Sequence, residues 1–155
     1  MTNPVSIYEI QRTFRAPLDF VYAWCTDYTS RDRTLQGETG SRQIIRKTAR
    51  TVVYEDLDET PRGWMWSRQT VTLQPPNRWH AEAVGNYRTW KLDYSLGELP
   101  DGLTEFTMRG ERRATPLGVK NPPKAVLEKE LQTMWRNLGR ALERDYRAVR
   151  RRSSR

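Results

Sequence analysis

The sequence predicts an α+β domain: a curved antiparallel sheet of about seven strands wrapped around one long C-terminal helix, with two short helices after strand 1. Three observations carry this. After Asn121 an apolar stripe recurs at spacings of three and four for some 30 residues, the period of a helix buried on one side. Between Arg42 and Arg113 the pattern alternates at period two, in runs separated by turn residues. Only one other strand, Ser6–Phe14, precedes that series. A single sheet has one face to bury, and the long helix is the only large element able to cover it. The sheet must curl around the helix, leaving a cleft wherever side chains do not fill the space.

Tyr8, Ile10 and Phe14 share one face of the first strand, with Arg12 as the exception. Arg15-Ala16-Pro17 ends the strand, and Pro17 suits a first helical turn, where its missing N–H would have no partner. Leu18–Asp27 is predicted helical with Phe20, Val21, Trp24 and Cys25 as its stripe; a second short helix is expected around Ser30–Leu35. Strands follow at Gln43–Arg46, Thr51–Leu57, Trp64–Leu73, Arg78–Val84, Arg88–Leu96 and Leu103–Arg113. Pro61 and Gly63, Pro75-Pro76-Asn77, Gly85-Asn86 and Pro100-Asp101-Gly102 mark the turns between them. On the strand from Trp64, the residues Trp64, Trp66, Arg68, Thr70 and Thr72 alternate against Met65, Ser67, Gln69, Val71 and Leu73. Trp90, Leu92, Tyr94 and Leu96 share a face, as do Phe106 and Met108. Asn121 is expected to cap a helix starting at Pro122 or Pro123 and running to about Arg151, with residues 151–155 frayed. Its stripe is Val126, Leu127, Leu131, Met134, Trp135, Leu138, Leu142, Tyr146 and Val149.

Composition narrows the function classes. The 155 residues are enough for one domain spanning 1–155. One cysteine, Cys25, and one histidine, His80, exclude an internal disulfide and argue against a multi-Cys zinc site or a two-histidine mechanism. No apolar run approaches the ~20 residues of a membrane span, and no basic-then-apolar leader precedes Ile10, so a cytoplasmic location is expected. The formal charge is +8, but residues 136–155 hold eight arginines against Glu143 and Asp145, leaving the first 135 residues at +2. The basic end is a wet helix face complementing the helix dipole. It allows weak contact with an anionic surface and implies no specific nucleic-acid partner. No cofactor motif, glycine-rich phosphate loop or Ser-His-Asp set is present.

The local cues Phe14-Arg15-Ala16-Pro17-Leu18-Asp19-Phe20-Val21-Tyr22, Gly63-Trp64-Met65-Trp66-Ser67-Arg68 and Pro100-Asp101-Gly102-Leu103-Thr104, in this order, resemble the START/Bet v 1-like (SRPBCC) superfamily of helix-grip proteins. The look is nearest to bacterial polyketide cyclase/dehydrase and lipid-transfer members, over about residues 5–150. The resemblance implies a ligand cavity between sheet and C-terminal helix. Carried over by alternation, its lining would be Trp64, Trp66, Arg68, Trp90, Leu92, Tyr94, Phe106, Met108, Met134, Trp135 and Leu138. Members of the cyclase group often carry a Trp-Pro pair after the first helix; here the stretch is Tyr28-Thr29-Ser30-Arg31-Asp32-Arg33.

Two functions follow as expectations. One is a carrier or binding protein for a hydrophobic or aromatic small molecule of polyketide, lipid, isoprenoid or quinone type. The other is an aromatase/cyclase-like enzyme in which Arg68 stabilises an enolate and Tyr94 or Tyr54 donates a proton. His80 is expected outside the sheet with Glu82, and Cys25 is expected to be a buried structural thiol.

Overall fold

The computed structural model describes residues 4–30, 32 and 40–155. The elements are β1 (Ser6–Phe14), α1 (Leu18–Thr26), β2 (Ser41–Lys47), β3 (Thr51–Thr60), β4 (Gly63–Gln74), β5 (Arg78–Gly85), β6 (Arg88–Leu99), β7 (Leu103–Ala114) and α2 (Lys124–Ser153). All seven strands form one antiparallel sheet in the order β1-β7-β6-β5-β4-β3-β2. β2 to β7 are a meander, and β1 closes onto β7. The chain crosses from one sheet edge to the other through α1 and the segment after it. The second short helix expected around Ser30–Leu35 falls largely outside the described residues.

Turn chemistry holds the hairpins. The β3–β4 turn is tight: Thr60 Oγ1 donates to the Gly63 carbonyl at 2.6 Å and accepts from Arg62 N–H at 3.3 Å, with Gly63 at φ +114°. At the β6–β7 turn Asp101 and Gly102 both take positive φ, which their residue types tolerate. Asn121 does not cap α2. Pro123 occupies the N-cap, and Asn121 Nδ2 donates instead to Ser6 Oγ and the Arg112 carbonyl, tying the loop to β1 and β7.

The helix does not sit centrally over the sheet. Its backbone comes closest to β1, where Gly139 faces the Phe14 ring: a Cβ there would stand 2.8 Å from Phe14 Cε1. Acids on α2 clasp this side. Glu143 accepts from Arg15 N–H at 2.8 Å, Glu128 from Glu9 N–H at 3.3 Å, and Asp145 from Trp24 Nε1 at 2.9 Å. The core here is Ile10, Phe14, Val21, Phe106, Leu138 and Leu142, all buried. Because α2 leans on β1, the inner face of β2–β6 stands away from helix backbone, and only long side chains bridge the gap.

Register corrects the expected facing of β4. Directly paired residues in an antiparallel sheet point to the same side. Leu73 pairs with Trp79, Val71 with Ala81 and Gln69 with Ala83, and that β5 face is buried. Met65, Ser67, Gln69, Val71 and Leu73 therefore face inward, while Trp64, Trp66 and Arg68 lie on the outer face. Trp64 is 57% exposed. Arg68 places Nε and Nη2 at 3.0 and 2.6 Å from Glu55 Oε1 and lies over Trp66 at 5.9 Å. Aromatic bulk suggested the opposite parity; the smaller Val71, matched to Ala81 across the sheet, decides it.

Candidate functional site

The gap between α2 and the β2–β6 face is a cavity of about 410 Å³. That lies within the size range of small-molecule sites. One wall is aromatic. Trp79 and Tyr94, paired across β5 and β6, stack with centroids 4.6 Å apart and planes 8° off parallel. Trp135 of α2 meets Tyr94 edge-on at 6.0 Å and packs on Phe106 at 4.3 Å. Tyr28 stacks on Tyr54 at 5.4 Å. Leu92, Met108, Leu131, Met134 and Leu138 add aliphatic surface.

The β2–β3 end of the cavity is polar and internally paired. Arg42 on β2 sends Nε and Nη2 to the two oxygens of Asp56 at 2.8 and 3.0 Å, and Nη1 to Asp32 at 3.1 Å. Its side chain is 2% exposed and its guanidinium lies 4.1 Å above the Tyr54 ring centre. Burial opposes the Arg42 charge, but the Asp56 hydrogen bonds outweigh it and hold its pKa above the usual guanidinium value. Burial raises the Asp32 carboxyl, against the hydrogen bonds from Thr29 and the Arg42 charge. Tyr54 Oη donates to Gln69 Oε1 at 2.5 Å. Burial pushes the phenols of Tyr28 and Tyr94 well above their ordinary value, so both are neutral O–H groups at any physiological pH. Cys25 also lines the cavity; burial, followed by the Asp32 charge, pushes its thiol far up.

Of the lining expected from sequence, Trp90, Leu92, Tyr94, Met108, Met134, Trp135 and Leu138 are brought together around the cavity. Phe106 is fully buried against Trp135 and forms no part of the wall. Trp64, Trp66 and Arg68 are on the far side of the sheet. Sequence reasoning missed Arg42, Asp56, Ser67, Gln69, Arg88 and Arg112. A readable signal existed for two of them: Ser67 and Gln69 share the parity of Val71. Arg42 lies between Ser41 and Gln43, and Asp56 between Glu55 and Leu57, and a charged side chain on a strand reads as outward. Cavity polarity is not fully satisfied. Among the described residues, Trp135 Nε1 and Arg88 Nε are buried donors with no hydrogen-bond partner.

His80 is on the outer face. Its Nδ1 lies 2.7 Å from Asp93 and its Nε2 3.1 Å from Glu82. Among the described residues no helix is long and apolar enough to cross a membrane.

Solved structures with this architecture span nearly the whole chain. A START superfamily protein from Mycobacterium smegmatis matches 92% of this chain and 98% of its own, at TM-score 0.68 and 11% identity. The Zhui aromatase/cyclase from a Streptomyces species matches 93% and 94%, at TM-score 0.70 and 12% identity. Ara h 8.0201 matches 90% and 98%, at TM-score 0.67 and 10% identity. The chain has the START/Bet v 1-like helix-grip fold. No family model and no curated protein matches the sequence. At these identities the likeness is one of fold, and a shared fold does not carry a shared activity.

Proposed function

We propose that this helix-grip protein binds a flat, largely apolar, oxygen-bearing small molecule in the cavity between its sheet and α2, as a carrier or binding protein. The observation that carries the reading is the 410 Å³ cavity walled by Trp79, Tyr94 and Trp135. Rings at these positions offer stacking faces worth about 0.5–1.5 kcal/mol per aromatic pair beyond area burial. The unpartnered indole N–H of Trp135 supports a ligand with an acceptor oxygen, since a buried donor left unmade costs about 1–3 kcal/mol. Structural neighbours that include an aromatase/cyclase support the same class of ligand.

The enzyme alternative loses its expected electrophile, because Arg68 is outside the cavity. Tyr94 keeps a neutral phenol on the cavity wall, suited to donating a hydrogen bond to a carbonyl.

The test is a titration with 2-naphthol and larger polycyclic phenols, read by tryptophan quenching, beside native mass spectrometry of the protein as purified. Saturable quenching abolished by Ser67→Trp, which fills the cavity from β4, is the expected result. Quenching unchanged by Ser67→Trp but lost in Trp64→Ala would move binding to the outer face and end this reading.

A further inference from the structure

We infer that the ligand carries an oxyanion headgroup, a carboxylate or phosphate, held at the throat of the cavity between Arg88 and Arg112. This deepens the small-molecule reading above and rests on it. A second, outer cavity of about 420 Å³ opens between the β3–β4 turn, the start of β6 and the loop before α2. It shares Met65, Arg88 and Arg112 with the inner cavity, so these three side chains stand where one space passes into the other.

The cross-strand register sets the two guanidiniums together. Arg88 and Trp90 are two residues apart on β6 and face the same side; Trp90 pairs directly with Arg112 on β7. Arg88 and Arg112 are thus diagonal neighbours, about 7–8 Å apart at their anchoring carbons. The Arg88 guanidinium lies 5.4 Å from the Trp90 ring centre. Among the described residues neither guanidinium makes a hydrogen bond or an ion pair within 4 Å, and Arg88 Nε is buried without a partner. Two like charges in a half-buried throat repel each other and lose solvation.

Nearby acids offset them only in part. Burial lowers the Arg112 pKa, with partial opposition from Tyr8 and Glu130. Asp58 and Glu130 line the inner cavity; Arg62 and Lys120 line the outer one. The surplus at the throat is cationic, and a planar oxyanion matches guanidinium forks on either side. Beyond the throat the inner cavity offers Leu92, Met134 and Trp135 to an apolar body. An anion with a flat apolar tail fits both halves.

The experiment compares three probes with one ring system: 2-naphthylacetate, 2-naphthyl phosphate and 2-(2-naphthyl)ethanol, titrated against the full chain. At least one anion is expected to bind tenfold or more tightly than the alcohol. Arg88→Gln and Arg112→Gln, checked for native melting, should each erase most of that preference while changing the alcohol's affinity far less than the anion's. Glu130→Gln, an exposed change that spares the fold, should tighten the anion further. Equal affinity of alcohol and both anions overturns the headgroup inference and leaves the cavity reading standing. Failure of all three probes to bind overturns both. A preference that survives both arginine changes but vanishes in Arg150→Gln/Arg151→Gln/Arg152→Gln assigns the effect to the basic helix end and also overturns the inference.

Discussion

Replacing Asp56 with Asn tests whether the polar wall of the cavity is a strained necessity or a passive lining. The Arg42 guanidinium is held by three hydrogen bonds, two of them to Asp56 at 2.8 and 3.0 Å, and the two side chains are 2% and 5% exposed. Asn offers one acceptor in place of a carboxylate and turns an NH₂ toward the guanidinium. Charged hydrogen bonds contribute about 1.5–3 kcal/mol each, and breaking a buried pair by removing one partner costs about 3–5 kcal/mol. Arg42 keeps Asp32 at 3.1 Å, a carboxylate 25% exposed, so the lower end, about 3 kcal/mol, applies. For a chain of this size that lowers the melting temperature by roughly 6–12 °C. Differential scanning calorimetry of the wild type, Asp56→Asn and the double variant Arg42→Met/Asp56→Leu reads it directly. The double variant should recover part of the loss, because matched apolar residues remove both desolvation costs while Asp32 loses its ion-pair partner. An Asp56→Asn protein within about 1 kcal/mol of wild type, or a double variant as unstable as the single one, would refute the reasoning.

Other outcomes follow from the same geometry. Partial burial disfavours protonated His80, but the hydrogen bonds to Asp93 and Glu82 outweigh it and raise its pKa above 6.5. A raised folded pKa gives stability that is fully present below the unfolded value and is lost as pH rises through the folded one. Wild type should therefore exceed His80→Gln in stability at pH 5.5 and lose that advantage by pH 8, with a difference below about 1 kcal/mol because the cluster is solvent-screened. A pH-independent difference contradicts it. Cys25 should react with an aromatic disulfide reagent far more slowly in the native protein than in denaturant; equal rates would show an accessible thiolate. Gly139→Val should push α2 off Phe14 and cost about 1–3 kcal/mol by overpacking, checked by urea unfolding; a neutral result would mean the helix shifts freely. Arg68→Ala should leave ligand titrations unchanged, because Arg68 and the cavity lie on opposite faces of the sheet.

Local chemistry determined the elements. Period two between Arg42 and Arg113, the turn residues between runs, and threes and fours after Pro123 follow from backbone geometry, which each short segment expresses by itself. The faces of β5, β6 and β7 were legible for the same reason: Trp79, Ala81 and Ala83, or Trp90, Leu92 and Tyr94, oppose polar residues at every alternate position. The face of β4 was not. Both of its sides carry candidates for burial, so its own pattern leaves two parities, and only pairing of Val71 with Ala81 and Leu73 with Trp79 selects one. The polar half of the site was illegible for a related reason. Arg42 and Asp56 read as surface residues until β2 and β3 are paired and each supplies the partner that makes the other's burial affordable. The throat is a product of tertiary structure altogether. Arg88 and Arg112 are 24 positions apart in sequence; the β6–β7 register sets them diagonally across Trp90, and the lean of α2 toward β1 leaves open the space they border. A chain segment encodes which of its atoms avoid water, but which charges end up side by side depends on contacts between segments that no single one of them contains.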